Sequence, residues 1–133
     1  MDAGAWIALA QRRDRAHARV TAHYHSLRSA GDALITCNLA LAETATRLRY
    51  DAGVKAAGSF REIIEQAVAT RRLAVRYADA ELDAAAWRIM ERYGDVALSF
   101  ADCAGAVTAS EAGAEGVFGL DRDFAALGFA LEP

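Results

Sequence analysis

The stretch LSFADCA, residues 98–104, combines a helix start with a carboxylate, and the same combination recurs at other junctions of the chain. Ser99 has the residue type of a helix N-cap, and Asp102 follows three residues later, ahead of an apolar run that reaches Val107. An acid in the first turn complements the positive end of the helix dipole and can close a capping box with the serine. The pattern therefore predicts a helix from about residue 100, whatever further role the acid has.

Three more acids stand at comparable junctions between apolar segments and helices: Asp2, Glu43 and Asp121. Each has an ordinary structural interpretation; Glu43, for example, is spaced for an i, i+4 salt bridge to Arg47, which contributes only about 0.3–0.5 kcal/mol. Four carboxylates brought to one end of a sheet would instead hold a divalent cation. Both interpretations stay open from the junctions alone.

Helical and extended patterns alternate along the chain. Apolar residues recur at helical spacing in residues 5–10, 17–30, 39–50, 54–72 and 80–93, and in the helix that follows Ser99. Short apolar runs at 33–36, 73–77, 116–120 and 129–131 predict strands. Asn38 and Asp79 are the predicted N-caps of their helices, and Ser59 is a candidate cap for a second half of the fourth helix. The alternation predicts an α/β fold with a parallel sheet, in which ligands bind beyond the carboxyl ends of the strands.

Composition fits a single globular domain, since the 133 residues are 54% hydrophobic and 25% charged. The two cysteines, Cys37 and Cys103, are too few for a disulfide framework and are predicted to be small buried thiols in a reducing cytoplasm. No apolar run approaches the roughly 18–20 residues that span a bilayer, and no signal-peptide pattern opens the chain. The net charge of −3 does not indicate a general nucleic-acid-binding surface, although Lys55 is the only lysine among 15 basic residues and arginine suits phosphate contacts.

Other kinds of site are less well supported. The three histidines, His17, His23 and His25, form no HExxH pair and are predicted to pack or to lie on the surface. A phosphorylated-aspartate receiver needs a lysine late in the chain, and Lys55 is in the wrong place. A dehalogenase-like phosphatase needs an acid two residues after its nucleophile, where this chain has Gly4.

Four segments, taken in order, resemble a PIN-domain ribonuclease of the VapC toxin type. They are residues 2–9, 36–44 and 98–103, and residues 121–124 followed by 127–129. The resemblance implies a three-layer α/β/α fold with a mostly parallel central sheet of about four to five strands. It also implies a Mg²⁺- or Mn²⁺-dependent endoribonuclease that is neutralised by a cognate VapB-type antitoxin and forms a homodimer.

The resemblance assigns the family's four acids to Asp2, Glu43, Asp102 and Asp121, with supporting roles for Asn38, Ser99 and Asp123. Asp2 and Asp102 are the expected direct ligands, and Glu43 and Asp121 are expected to act through water, as a general base or at a second ion. Two departures affect this expectation. Only Met1 precedes Asp2, so the first strand of the domain predicted over residues 1–133 is expected to be absent or truncated. Hydroxyl residues usual in the family are replaced by Ala3-Gly4 and by Gly119, which predicts weak metal affinity.

Candidate partner surfaces can also be named from the sequence. Four arginines are candidates for contacting RNA or an antitoxin, and three apolar residues are candidates for a dimer or antitoxin face. The arginines are Arg12, Arg13, Arg47 and Arg49, and the apolar residues are Trp6, Leu48 and Tyr50, of which Leu48 is better explained by core packing. The missing hydroxyls and the short first strand leave one alternative open, a catalytically weak or inactive PIN-like module that binds RNA or an antitoxin.

Overall fold

A computed structural model describes residues 1–133. In chain order the helices and strands are α1 (Ala3–Ala10), α2 (His17–Ala30), β1 (Leu34–Cys37), α3 (Asn38–Ala52), α4 (Val54–Ala69), β2 (Leu73–Arg76), α5 (Ala80–Arg92), α6 (Phe100–Glu111), β3 (Gly116–Phe118), a 3₁₀ helix (Arg122–Leu127) and β4 (Ala130–Glu132). None of the helices combines the length and apolar character that a membrane span requires. The predicted α/β class is confirmed.

The strands form two parallel pairs rather than one continuous sheet. β1 pairs with β2, with Leu34 opposite Leu73, and β3 pairs with β4, with Gly116 opposite Ala130. α3 and α4 make the crossover between β1 and β2, as parallel pairing requires.

The first two residues of the chain bridge the two strand pairs. The Met1 ammonium group donates a hydrogen bond to the carbonyl of Ile35 in β1, at 2.7 Å. The backbone N–H of Asp2 donates to the carbonyl of Phe118 in β3, at 3.0 Å. Met1 and Asp2 thus occupy the place of a middle strand, but two residues are too few to form one. The single sheet expected from the sequence is divided for this reason.

Helix starts follow the predicted caps with one correction. Asp79 and Ser99 are the N-caps of α5 and α6. The N-cap of α3 is Cys37, whose sulfur accepts a hydrogen bond from the N–H of Ala40, so the prediction of Asn38 as the cap was wrong. Asn38 is instead the first residue of α3, and its side-chain oxygen accepts a hydrogen bond from the N–H of Ala78 after β2.

α4 also differs from its prediction. It runs from Val54 to Ala69 without interruption, so Ser59 does not cap a second half, and it ends three residues before the predicted limit. α2 ends at the predicted glycine, Gly31, whose φ of +83° is the left-handed conformation that favours this residue.

Small residues let α1 and α6 run through the centre of the molecule. Ala5 and Ala8 in α1 and Ala104 in α6 are fully buried, and both cysteines are free and buried as predicted. Trp6 is only 4% exposed and packs edge-to-face on Phe60, so the suggestion that it forms a partner surface was wrong. Asp2 at the start of α1 and Asp102 in the first turn of α6 lie at one edge of the molecule, close to the residues that follow β3.

Candidate metal centre

The four predicted acids line one open cavity of about 450 Å³ at this edge. Its walls are Asp2, Ala3, Gly4, Ile7, Glu43, Ser99, Asp102, Leu120 and Asp121. Each acid comes from a different element, and residues more than a hundred positions apart are brought together. The predicted supporting residue Ser99 is part of the wall, whereas Asn38 and Asp123 are not.

Asp2 is the most buried of the four, with 7% of its surface exposed. It caps α1, with Oδ1 accepting a hydrogen bond from the N–H of Ala5 at 2.7 Å, and Oδ2 accepts one from the N–H of Leu120 at 3.3 Å. Burial raises the pKa of this carboxyl, the two backbone hydrogen bonds oppose that rise, and the negative charge of Asp102 adds to it. Asp2 is therefore held in one place and is electrostatically coupled to Asp102.

Asp102 forms the predicted capping box with Ser99. Its Oδ2 accepts hydrogen bonds from the N–H and the hydroxyl of Ser99, at 2.8 and 2.6 Å, and its own N–H donates to the Ser99 hydroxyl oxygen at 3.2 Å. The box occupies one carboxylate oxygen only, and no hydrogen bond within the chain uses Oδ1. The capping role and a ligand role are thus compatible, because they use different atoms.

Glu43 lies in the second turn of α3 and makes no ion pair. The salt bridge suggested between Glu43 and Arg47 is absent, because Arg47 pairs with Asp51 at 2.7 Å one turn further along the helix. Partial burial raises the pKa of Glu43, and the charges of Asp102 and Asp2 raise it further. These three carboxylates therefore share one electrostatic environment.

Asp121 follows β3 and caps the 3₁₀ helix, with Oδ1 accepting a hydrogen bond from the N–H of Asp123 at 2.9 Å. The backbone N–H of Asp123 thus supports Asp121, whereas the Asp123 side chain is not part of the cavity wall. The remaining oxygen of Asp121 has no hydrogen-bond partner in the chain.

Gly119 is required for a reason that the sequence analysis missed. A Cβ atom built at this position would lie 2.6 Å from Oδ2 and 2.7 Å from Cγ of Asp2, closer than real atoms approach. From the sequence, Gly119 was interpreted only as the loss of a hydroxyl group. The available signal was a glycine directly after an apolar strand, which often marks close approach of another group.

The acids do not yet form a closed ligand set. No three His, Cys, Asp or Glu side chains are already arranged to hold a metal ion. Carboxylates without a cation repel one another, and Mg²⁺ needs only one or two direct carboxylates because it retains several waters. Unused oxygens of Asp102 and Asp121 in a cavity wide enough for water fit such a hydrated hard cation.

The raised pKa values of Asp2 and Glu43 predict a pH dependence of the metal-free protein. Because the folded state binds these protons more tightly than the unfolded chain, the free energy of unfolding should fall as pH rises from the ordinary values of 3.8 and 4.5 through the raised ones. We expect Glu43→Gln to weaken this fall in urea unfolding with EDTA between pH 4 and 7.

Burial lowers the pKa of the Met1 ammonium group, which also makes the stability depend on pH. This contribution is the same in the unsubstituted protein and in Glu43→Gln, so it cancels when their pH dependences are compared. Saturating Mg²⁺ should reverse the trend for the unsubstituted protein, because the cation binds only deprotonated carboxylates. If the free energy of unfolding of the two metal-free proteins had the same pH dependence, the pKa of Glu43 would not be raised by burial and by the other acids.

An α/β protein with acids gathered beyond the carboxyl ends of parallel strands has the general layout of a metal-assisted hydrolase. The PIN domain family matches residues 1–130, and the chain belongs to that family.

Within the family, the structure is of the VapC type. It is similar to the crystal structure of VapC20 from Mycobacterium tuberculosis, described as a sarcin-ricin loop cleaving toxin, with a TM-score of 0.83 and 25% identity over 99% of this chain and 97% of that one. A search of curated proteins finds no match. The resemblance drawn from the sequence is confirmed.

Proposed function

We propose that this chain is a Mg²⁺- or Mn²⁺-dependent endoribonuclease and the toxin of a VapBC-type toxin–antitoxin pair. The observation that carries the proposal is that Asp2, Glu43, Asp102 and Asp121 line one cavity in a PIN-domain chain. The substrate class is RNA, and we place the activity in the cytoplasm, where the RNA is.

The residues divide the work of phosphodiester hydrolysis. Asp2 and Asp102 would supply the direct oxygen ligands, Asp2 because two backbone N–H groups fix it and Asp102 because its Oδ1 is unused. A divalent cation held there would neutralise charge on the scissile phosphate and lower the pKa of bound water. Glu43, which makes no ion pair, would accept a proton from the attacking water while the bond between phosphorus and the leaving oxygen breaks, and the leaving oxygen would take a proton from solvent water. Asp121, which has one carboxylate oxygen without a hydrogen-bond partner in the chain, would orient water in the same cavity.

Partners follow from the same proposal. A VapB-type antitoxin would cover the acidic cavity, and a second copy of the chain would form a homodimer. Arg12, Arg13 and Arg49 make no ion pair and are candidates for the RNA backbone, whereas Arg47 is engaged by Asp51. Tyr50 is 82% exposed and remains a candidate for a protein contact, while Leu48 is buried in the core.

One observation favours the second candidate function, a PIN-like binding module without catalysis. Three of the four acids already serve in helix caps, Asp2 and Asp121 as N-caps and Asp102 in a capping box, and no three are prearranged around an ion. The two functions differ in what Mg²⁺ does. A nuclease needs the ion both to bind and to support cleavage, whereas a binding module needs neither.

Thermal unfolding with increasing Mg²⁺ or Mn²⁺, paired with a cleavage assay on single-stranded RNA, tests the proposal. A ligand present at a hundred times its Kd stabilises the fold by about 2.7 kcal/mol, so the unfolding temperature should rise with ion concentration. Cleavage should stop with EDTA and return with added Mn²⁺. Metal-independent stability together with intact RNA would instead support the binding module.

A further inference from the structure

A cavity of about 540 Å³ lies between α5, α6 and the segment that leads from the 3₁₀ helix into β4. We call it the α5–α6 groove. It shares no residue with the acid-lined cavity, and its volume exceeds the 450 Å³ of that cavity. The proposed ribonuclease therefore makes no use of it. The residues that matter in its wall are Arg88, Ile89, Arg92, Glu111, Leu127 and Phe129.

The floor of the groove is apolar. Ala106 and Val107 of α6 are buried in it, and Ile89, Leu127 and Phe129 are half-buried. The last three side chains also pack against buried core residues of α6 and β3, so the floor is continuous with the core. Covering such a surface is favourable for an apolar ligand, whereas a purely polar ligand gains nothing from it.

Two arginines lie on the rim of the groove. Arg88 and Arg92 are exposed, are one helical turn apart on α5, and form no salt bridge in the chain. The guanidinium of Arg92 lies 5.5 Å from the centre of the Tyr93 ring, which supports it without neutralising its charge. Glu111 is the only acid in the wall, and Arg76 binds its carboxylate at 3.1 Å. The rim thus carries positive charge without an internal partner, on a chain whose net charge is −3.

The spacing of the two charges fits a helical ligand. Residues four positions apart on a helix are neighbours, with Cβ atoms about 5–6 Å apart. Arg88 and Arg92 therefore match two carboxylates that are themselves one turn apart on a second helix. A planar guanidinium binds a carboxylate through two parallel hydrogen bonds, and arginine is enriched in protein interfaces. An apolar floor between helices accepts the apolar stripe of an amphipathic helix.

We propose that the α5–α6 groove binds an acidic amphipathic helix of a partner protein. Glu or Asp side chains one turn apart on that helix face Arg88 and Arg92, and its apolar stripe covers the floor. An RNA strand would satisfy the two arginines but would leave Ile89, Leu127 and Phe129 uncovered. The groove and the acid-lined cavity have no residue in common, so this interaction and the proposed ribonuclease can each be true without the other.

The test uses the full chain and a fluorescently labelled synthetic peptide of about 15 residues, long enough to form a helix. The peptide carries leucines at i, i+3, i+4 and i+7 spacing with glutamates beside them, and fluorescence anisotropy follows its binding. We expect saturable binding that Arg88→Glu combined with Arg92→Glu weakens about tenfold or more, because like charges then face each other. A peptide with lysine in place of each glutamate should show the opposite preference and bind this double variant more tightly. Phe129→Ala should weaken the binding of both peptides, because both use the same floor.

Arg71→Glu combined with Arg72→Glu is the matched control. It changes the net charge by the same amount at two exposed arginines outside the groove, so both peptides should bind it as they bind the unsubstituted protein. Equal weakening in the two double variants, or no saturable binding by the unsubstituted protein, would overturn the proposal.

Two further outcomes would replace the partner helix with another ligand. If light scattering shows that Arg88→Glu with Arg92→Glu changes the oligomeric state, the groove is an interface between copies of the chain. If that double variant loses binding of single-stranded RNA while its binding of the acidic peptide is unchanged, the two arginines contact RNA. Either result would contradict the proposal and leave the metal centre untouched.

Discussion

Asp102→Asn is expected to reduce metal-dependent RNA cleavage by about a hundredfold or more while leaving the fold intact. Loss of a group that merely supports a metal ligand already costs about 10–100-fold, and Asp102 is proposed as a ligand itself. The fold should survive because the asparagine oxygen can still accept hydrogen bonds from the N–H and hydroxyl of Ser99. Initial cleavage rates at several Mn²⁺ concentrations, with circular dichroism of the same samples, make the measurement.

Asp83→Asn provides the matched control. Asp83 is an exposed acid in the first turn of α5, the same local setting as Asp102, but it lies outside the acid-lined cavity. Its variant should cleave at the unsubstituted rate. If Asp102→Asn also cleaved RNA at the rate of the unsubstituted protein, Asp102 would have only a helix-capping role and would not belong to the metal centre.

Gly119→Ala should damage both the metal centre and the fold. The new methyl group would lie 2.6 Å from Oδ2 of Asp2, which cannot move without losing its hydrogen bonds from the N–H groups of Ala5 and Leu120. Overpacking of this kind costs about 1–3 kcal/mol. We expect a lower urea midpoint, weaker stabilisation by Mg²⁺ and slower cleavage in one variant.

Gly58→Ala controls for the loss of a glycine as such. Gly58 lies in α4 with no atom within 4 Å of an added Cβ, so this substitution should stabilise the helix by about 0.5–1 kcal/mol. Unchanged stability and Mg²⁺ response in Gly119→Ala would mean that Asp2 tolerates displacement and is not held for metal binding.

Local patterns were enough to predict most of the helices. Ser99 with Asp102, Asp79 and the glycine at 31 act through the nearest backbone groups, so their effects are visible in a few residues of sequence. Asn38 shows the limit of such patterns. Asparagine is a common N-cap and lies at the start of α3, but the side-chain oxygen of Asn38 accepts a hydrogen bond from the N–H of Ala78, forty positions further along the chain.

Long-range features could not be predicted from local patterns. The division of the strands depends on Met1 and Asp2 reaching β1 and β3, which no short stretch encodes. The four acids were assigned through the family resemblance. The folded structure shows in addition that they line one cavity, which is why they can act together. The steric need for Gly119, and the pairing of Arg47 with Asp51, became visible only once the chain was folded.

Anomalous scattering from a crystal soaked in Mn²⁺ is the most direct measurement of the central claim, that the cavity lined by four distant carboxylates holds a divalent cation. We expect a manganese peak in the cavity lined by Asp2, Glu43, Asp102 and Asp121, with an oxygen of Asp2 or Asp102 in direct contact. A cavity without a peak at saturating Mn²⁺, or a peak bound only by residues outside it, would contradict the account.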